Sequence, residues 1–212
     1  MNEENTIKDN NTKNIKNFLI NNQKKLIIIF SFTILLIGSY FAFEKIKKND
    51  KIKLAEEFNL TIINFETTNQ DNIINSLKNI INKRDNTYSP LALYFILDNN
   101  LIESRVEINE LFNILIEETN LKKEINNLMI YKKALYNSDF ISENELINML
   151  KPILSTNSIW KSHALYLIAE YFYSKNEKQK AKEFFNQILT LSNSNIDIQI
   201  ESQKRINRDF SE

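Results

Sequence analysis

Trp160-Lys161-Ser162-His163-Ala164-Leu165-Tyr166-Leu167-Ile168-Ala169-Glu170-Tyr171-Phe172-Tyr173, the turn Ser174-Lys175-Asn176-Glu177, and then Lys178 through Leu191 (KQKAKEFFNQILTL) form the stretch that decides the fold. Leu165, Ile168, Ala169 and Phe172 recur at intervals of three and four residues, which is one face of a helix. Ala181, Phe185 and Ile188 make a second such face after a short turn. So short a connection makes the two helices antiparallel neighbours. Antiparallel helices approach closely only where both offer a small side chain, here Ala169 and Ala181. Large residues then interlock around that point.

Working outward, the same arrangement is read 77 residues earlier in Tyr88, Leu91, Ala92, Phe95, Ser104, Ile108 and Leu111. Ala92 then matches Ala169, Phe95 matches Phe172, Ser104 matches Ala181 and Ile108 matches Phe185. A degenerate copy lies between them, with Ile130, Tyr131 and Ala134 facing Ile147 and Leu150. Further stripes are Leu54–Phe65, Ile73–Ile81, Val106–Ile116, Leu121–Tyr136 and Ile196–Ile206, and Ser89-Pro90 reads as a helix start. The expectation is an all-α domain over residues 54–209, built as a solenoid of antiparallel helix pairs.

Composition narrows what such a domain can do. With no Cys, disulfides, thiolate metal sites and thiol nucleophiles are excluded. One His and one Gly leave no His-rich metal site and no glycine-rich phosphate loop. Lys+Arg and Asp+Glu stand at 27 each, so no net field draws nucleic acid. Neither a cofactor nor a metal is expected. Asn and Ile number 33 each and are scattered at helical spacing, which reads as AT-rich codon bias and not as a prion-like tract.

A second feature sits upstream. Leu26–Phe43 (LIIIFSFTILLIGSYFAF) runs 18 residues without a charge. At 1.5 Å per residue it covers roughly 27 Å, close to the hydrocarbon thickness of a bilayer. Tyr40-Phe41-Ala42-Phe43-Glu44 is a poor cleavage site, so the segment reads as a retained single span and not as a removed signal. Residues 1–25 read as a polar cytoplasmic tail and 44–53 as a juxtamembrane linker. Five Lys flank the span on each side, which ties the positive-inside rule. Lys24 and Lys25 abut the apolar run, and the short polar tail favours an N-terminus that stays in the cytoplasm while residues 44–212 cross. Gly38-x-x-x-Ala42 is a spacing that permits weak self-association of spans.

The helix pair at Leu165–Ile188 resembles a tetratricopeptide repeat, departing from it at Asn176, where Gly is usual, and at Asn193, where Pro is usual. The whole chain is similar to bacterial single-span membrane proteins with an exported tetratricopeptide-like domain, of the kind that includes the ancillary subunit of the SecYEG translocon. The residues that carry this are the span, Tyr88-Ser89-Pro90-Leu91-Ala92, Leu150-Lys151-Pro152, Trp160-Lys161-x-x-Ala164 and the last repeat. The resemblance implies an inner-membrane protein with a periplasmic domain, acting as a translocon-associated or chaperone-like factor on unfolded exported chains. An envelope-assembly or division scaffold is the alternative, and a cell-envelope hydrolase a remote one.

Individual residues fit a non-enzyme. His163 lacks a second His or a Cys to converge with and reads as a surface or half-buried residue. Trp160 reads as packing against the preceding repeat. Glu117-Glu118 and Glu56-Glu57 diverge by about 100° on a helix and read as solvated faces. Phe140, Tyr166 and Tyr173 lie off the packing stripe and are the expected contacts of a concave groove.

Overall fold

A computed structural model of the chain describes residues 21–210, so most of the expected polar tail lies outside the described residues. Every regular element among those residues is helical. The chain divides between Lys53 and Leu54 into two units.

The first helix, α1, is Gln23–Ile63, 41 residues long. It contains one stretch long and apolar enough, by length and composition, to cross a membrane. Ile27, Ile28 and the large apolar side chains from Phe30 to Phe43 stand exposed, Ile28 and Phe30 at 68%. Residues 44–53, expected as a linker, are helical. Nothing in EKIKKNDKIK breaks a helix: it has no Pro and no Gly.

In the second unit the end of α1 buries Leu54 and Phe58. There follow α2 Gln70–Asn82, α3 Tyr88–Asp98 and α4 Arg105–Asn113, which a π-helical turn Ile114–Glu118 extends. Then come α5 Lys123–Asn137, α6 Glu143–Leu154, α7 Lys161–Ser174, α8 Lys178–Thr190 and α9 Ile196–Asp209. Local chemistry sets the boundaries. Asn69, Ser104, Ser142 and Asn195 accept backbone N–H groups as N-caps, and Ser142 with Glu145 completes a capping box. Thr119 Oγ1 donates to Ile114 O at 3.0 Å, closing the π turn.

With Gly38 the only glycine in the chain, the left-handed positions that end helices fall to other residues. Asn100 (φ 48°) and Asn176 (φ 62°) take them after α3 and α7. In each case the next N–H reaches back five residues: Leu101 to Ile96 O at 3.0 Å, and Glu177 to Phe172 O at 2.9 Å. These are Schellman closures built on Asn. Asn176 therefore makes the turn without a glycine.

Packing proceeds mainly between sequence neighbours: α2 on α3, α5 on α6, α6 on α7, α7 on α8 and α8 on α9. Two cores result. One gathers Leu54 to Met129 and the other Ile130 to Ile188, with α5 contributing to both. The second contains the helix pair quoted at the outset, and Ala169, Phe172, Ala181 and Phe185 are all buried there at 0–1% exposure.

The earlier copy departs from its expected pairing. α3 packs more closely on α2 than on α4, although both α3 and α4 contribute to the first core. Ala92 and Ile108 are buried as expected, Phe95 is half-buried with its ring edge-on to Phe65 at 5.1 Å, and Leu91 is exposed. Ser104 is exposed and is not a small packing residue; its hydroxyl caps α4 by accepting from Glu107 N at 3.3 Å. The cause is the connection Asn99–Ser104, longer than Lys175–Glu177, which delays the second helix and puts Ser104 at its start. The cap expected at Ser89 also moves. Asp85 Oδ1 accepts from Thr87 N and Tyr88 N at 2.8 Å each, while Ser89 is buried and donates to Ile80 O at 2.9 Å.

Candidate functional site

Two of the three expected groove residues are covered. Arg205, on α9, donates from Nε and Nη2 to the two oxygens of Glu170 on α7, at 2.7 and 2.8 Å, and from Nη1 to Asp209 at 2.6 Å. This fork is the geometry in which guanidinium–carboxylate pairs are strongest. Its central carbon, Cζ, lies 4.2 Å from the centre of the Tyr173 ring, and Phe210 packs edge-on to the same ring at 5.8 Å. Phe210 also meets Phe185, whose other neighbour is Tyr166 at 5.5 Å. Burial, then the Glu170 carboxylate beside it, pushes the Tyr166 hydroxyl up to about 12. α9 thus closes over Tyr166 and Tyr173, and they serve the terminal core. The Arg205 spacing to Asp209 is an i,i+4 pair readable from sequence, but its reach to Glu170 is not.

Phe140 differs. It lies between α5 and α6, is 66% exposed, and carries the Arg105 guanidinium 4.4 Å from its ring centre. Val106 beside Arg105 is also exposed. Asn109 and Asn137 fasten this end by donating to each other's amide oxygens at 2.9 and 2.8 Å. The result is an open aromatic and aliphatic surface with one cation, on a fixed base.

Trp160 packs on the preceding helix, as its sequence position suggests. Its ring is stacked with Tyr131 at 6.1 Å and its Nε1 donates to Glu124 O at 2.9 Å. Around it Asn127 donates to Ser158, and Ser158 to Glu124. His163 sits against both rings, 5.8 Å from Tyr131 and 5.1 Å from Trp160. Its Nδ1 is buried without a hydrogen-bond partner among the described residues, and burial lowers its pKa. Among the described residues no carboxylate hydrogen-bonds to this imidazole, and the two rings are what it packs against.

No family model, curated protein or solved structure matches the chain.

The acidic pairs lie on the surface. Glu56, Glu57, Glu117 and Glu118 are exposed, and Glu118 pairs with Arg84. Among the described residues no three His, Asp or Glu side chains gather as a metal site. Sequence reading missed the Asn109–Asn137 pair and the Asn127–Ser158–Glu124 network. Their partners lie 28 to 35 residues apart, beyond any local periodicity.

Proposed function

We propose that this chain is a membrane-anchored protein-interaction module. In this reading residues 26–43 span the bilayer, and the unit from Leu54 is a tetratricopeptide-like solenoid of antiparallel helix pairs held beside it. One observation carries it: Phe140, Val106 and Arg105 stand open on a domain whose other large aromatics are packed. Exposed aromatic and Arg side chains are the usual anchors of protein contacts. The apolar helix and the neighbour-on-neighbour packing of the α7–α9 region support the rest.

The narrower form of the proposal rests on the sequence resemblance: an accessory or chaperone-like factor of the SecYEG translocon, in the bacterial inner membrane, with its N-terminus cytoplasmic and residues 44–212 periplasmic. A photo-crosslinking amino acid placed at Phe140 in intact membranes tests it. Adducts with translocon subunits or exported chains are expected, and none from a control at Glu183. Adducts confined to cell-wall or division proteins replace the narrower form with the scaffold reading. Equal labelling from both positions removes Phe140 as the contact.

A further inference from the structure

Leu91, Ile125, Ile159 and Ile196 are exposed at 40, 39, 61 and 63%. They are separated by 34, 34 and 37 residues, and each lies in or directly before the first turn of α3, α5, α7 and α9. Side-chain contacts bring these four helix starts to one end of the unit. Arg84 before α3 pairs with Glu118 before α5. Glu124 at the start of α5 accepts from Ser158 Oγ at 2.7 Å and Ile159 N at 3.2 Å, just before α7. Asn193 donates to Asn157 at 3.0 Å, and Asn195 N to Ser162 Oγ at 3.1 Å, joining α7 to α9.

Charge at this end is uneven. Lys122, Lys123 and Lys161 border Ile125 and Ile159 and form no ion pair among the described residues. Most nearby acids are engaged internally: Glu118 by Arg84, Glu124 by Ser158 and Ile159, Asp85 by two backbone N–H groups. Glu117 and Asp197 are the acids that remain. An aliphatic residue beside a Lys whose stem can extend past it is the pattern of side chains seated at a bilayer interface.

We propose that this end of the helical unit rests on an anionic lipid surface, with the four aliphatic side chains entering the headgroup layer and Lys122, Lys123 and Lys161 meeting its phosphates. The proposal rests on the membrane-anchored reading, which keeps a bilayer within reach. Lipid fits better than a protein partner because the four aliphatics stand singly, separated by polar turns. A protein interface wants a continuous, shape-matched patch, whereas a fluid interface receives separate knobs.

The chain holds one Trp, and Trp160 stands next to Ile159 on this end. The test is fluorescence of the full chain reconstituted into phosphatidylcholine/phosphatidylglycerol vesicles containing acyl-brominated lipid. Bromine quenching of Trp160 is expected, weaker in vesicles without phosphatidylglycerol and weaker again at high salt, since surface electrostatics is screened. The I125E/I196E double variant, which leaves Ile159 and Trp160 intact, should lose about half or more of the quenching if an interfacial charge expels this end. Its circular dichroism and its acrylamide quenching in detergent should match the parent. Absent quenching in a chain that floats with vesicles overturns the proposal, and so does equal quenching in the variant. A change of oligomeric size in the variant overturns it in favour of a protein interface. A chain that does not float fails at the anchor, which overturns the membrane reading and this inference together.

Discussion

Asn176 holds a backbone conformation (φ 62°) that Asn tolerates better than any other residue with a side chain except Asp, and that glycine adopts freely. Asn176→Ala keeps the helix-forming tendency but loses the local hydrogen-bonding ability that eases the left-handed region. It should lower stability by roughly 1 kcal/mol, with Asn176→Gly neutral or slightly stabilising. Urea unfolding of the chain in mild detergent reads both, and an Ala variant as stable as the parent would place the strain elsewhere. His163 gives a pH-dependent prediction. Its folded pKa is lowered, so the unfolded chain binds the proton more readily. The stability it contributes is present above about pH 6.5, the ordinary His value, and is lost as pH falls below it towards the folded value. Asp209, held low chiefly by Arg208, and Glu145, held low by Ser142, act the same way, but only further down, in the carboxylate range. His163→Phe, which removes the unpartnered Nδ1, should flatten the dependence of Tm on pH in the interval just below about pH 6.5 and leave the carboxylate window unchanged. A parent already flat in that interval would contradict it.

Helix pairing is where the sequence succeeded unevenly. The α7–α8 pair was readable because its connection is short and its apolar positions keep strict helical spacing. The α3–α4 pair was not. Leu101, buried at 6% in the loop, and the Schellman closure at Asn100 lengthen the connection, and α3 settles on α2 instead. Residue types alone carry no measure of loop length against helix register, so Ser104 looked like a packing residue. The groove failed for a related reason. Tyr166 and Tyr173 do lie off the stripe, but a helix starting 23 residues beyond Tyr173 arrives to cover them. Two substitutions separate these elements. Ala181→Leu, at a fully buried position, should cost about 1–3 kcal/mol by overpacking. Ser104→Ala should cost about 1 kcal/mol through the lost cap, with Ser104→Asp restoring it. If Ser104→Asp destabilised as strongly as Ala181→Leu, Ser104 would be a packing residue after all.

At the scale of the whole chain, the two units differ in where their apolar side chains lie. Ile27, Ile28 and the large apolar side chains from Phe30 to Phe43 are exposed, while from Leu54 onward Leu, Ile and Phe fill two cores. Such a division suits a chain partly in lipid and partly in water, and its apolar length suits one span. The helical unit, with no glycine and short connections, offers a protease few exposed flexible sites. Limited proteolysis of membranes carrying the full chain, followed by an alkaline wash and mass spectrometry of pellet and supernatant, therefore tests the central claim most directly. The account predicts peptides covering residues 26–43 in the washed pellet and a resistant helical fragment beginning near Leu54 in the supernatant. Release of residues 26–43 with the rest of the chain into the wash would contradict it.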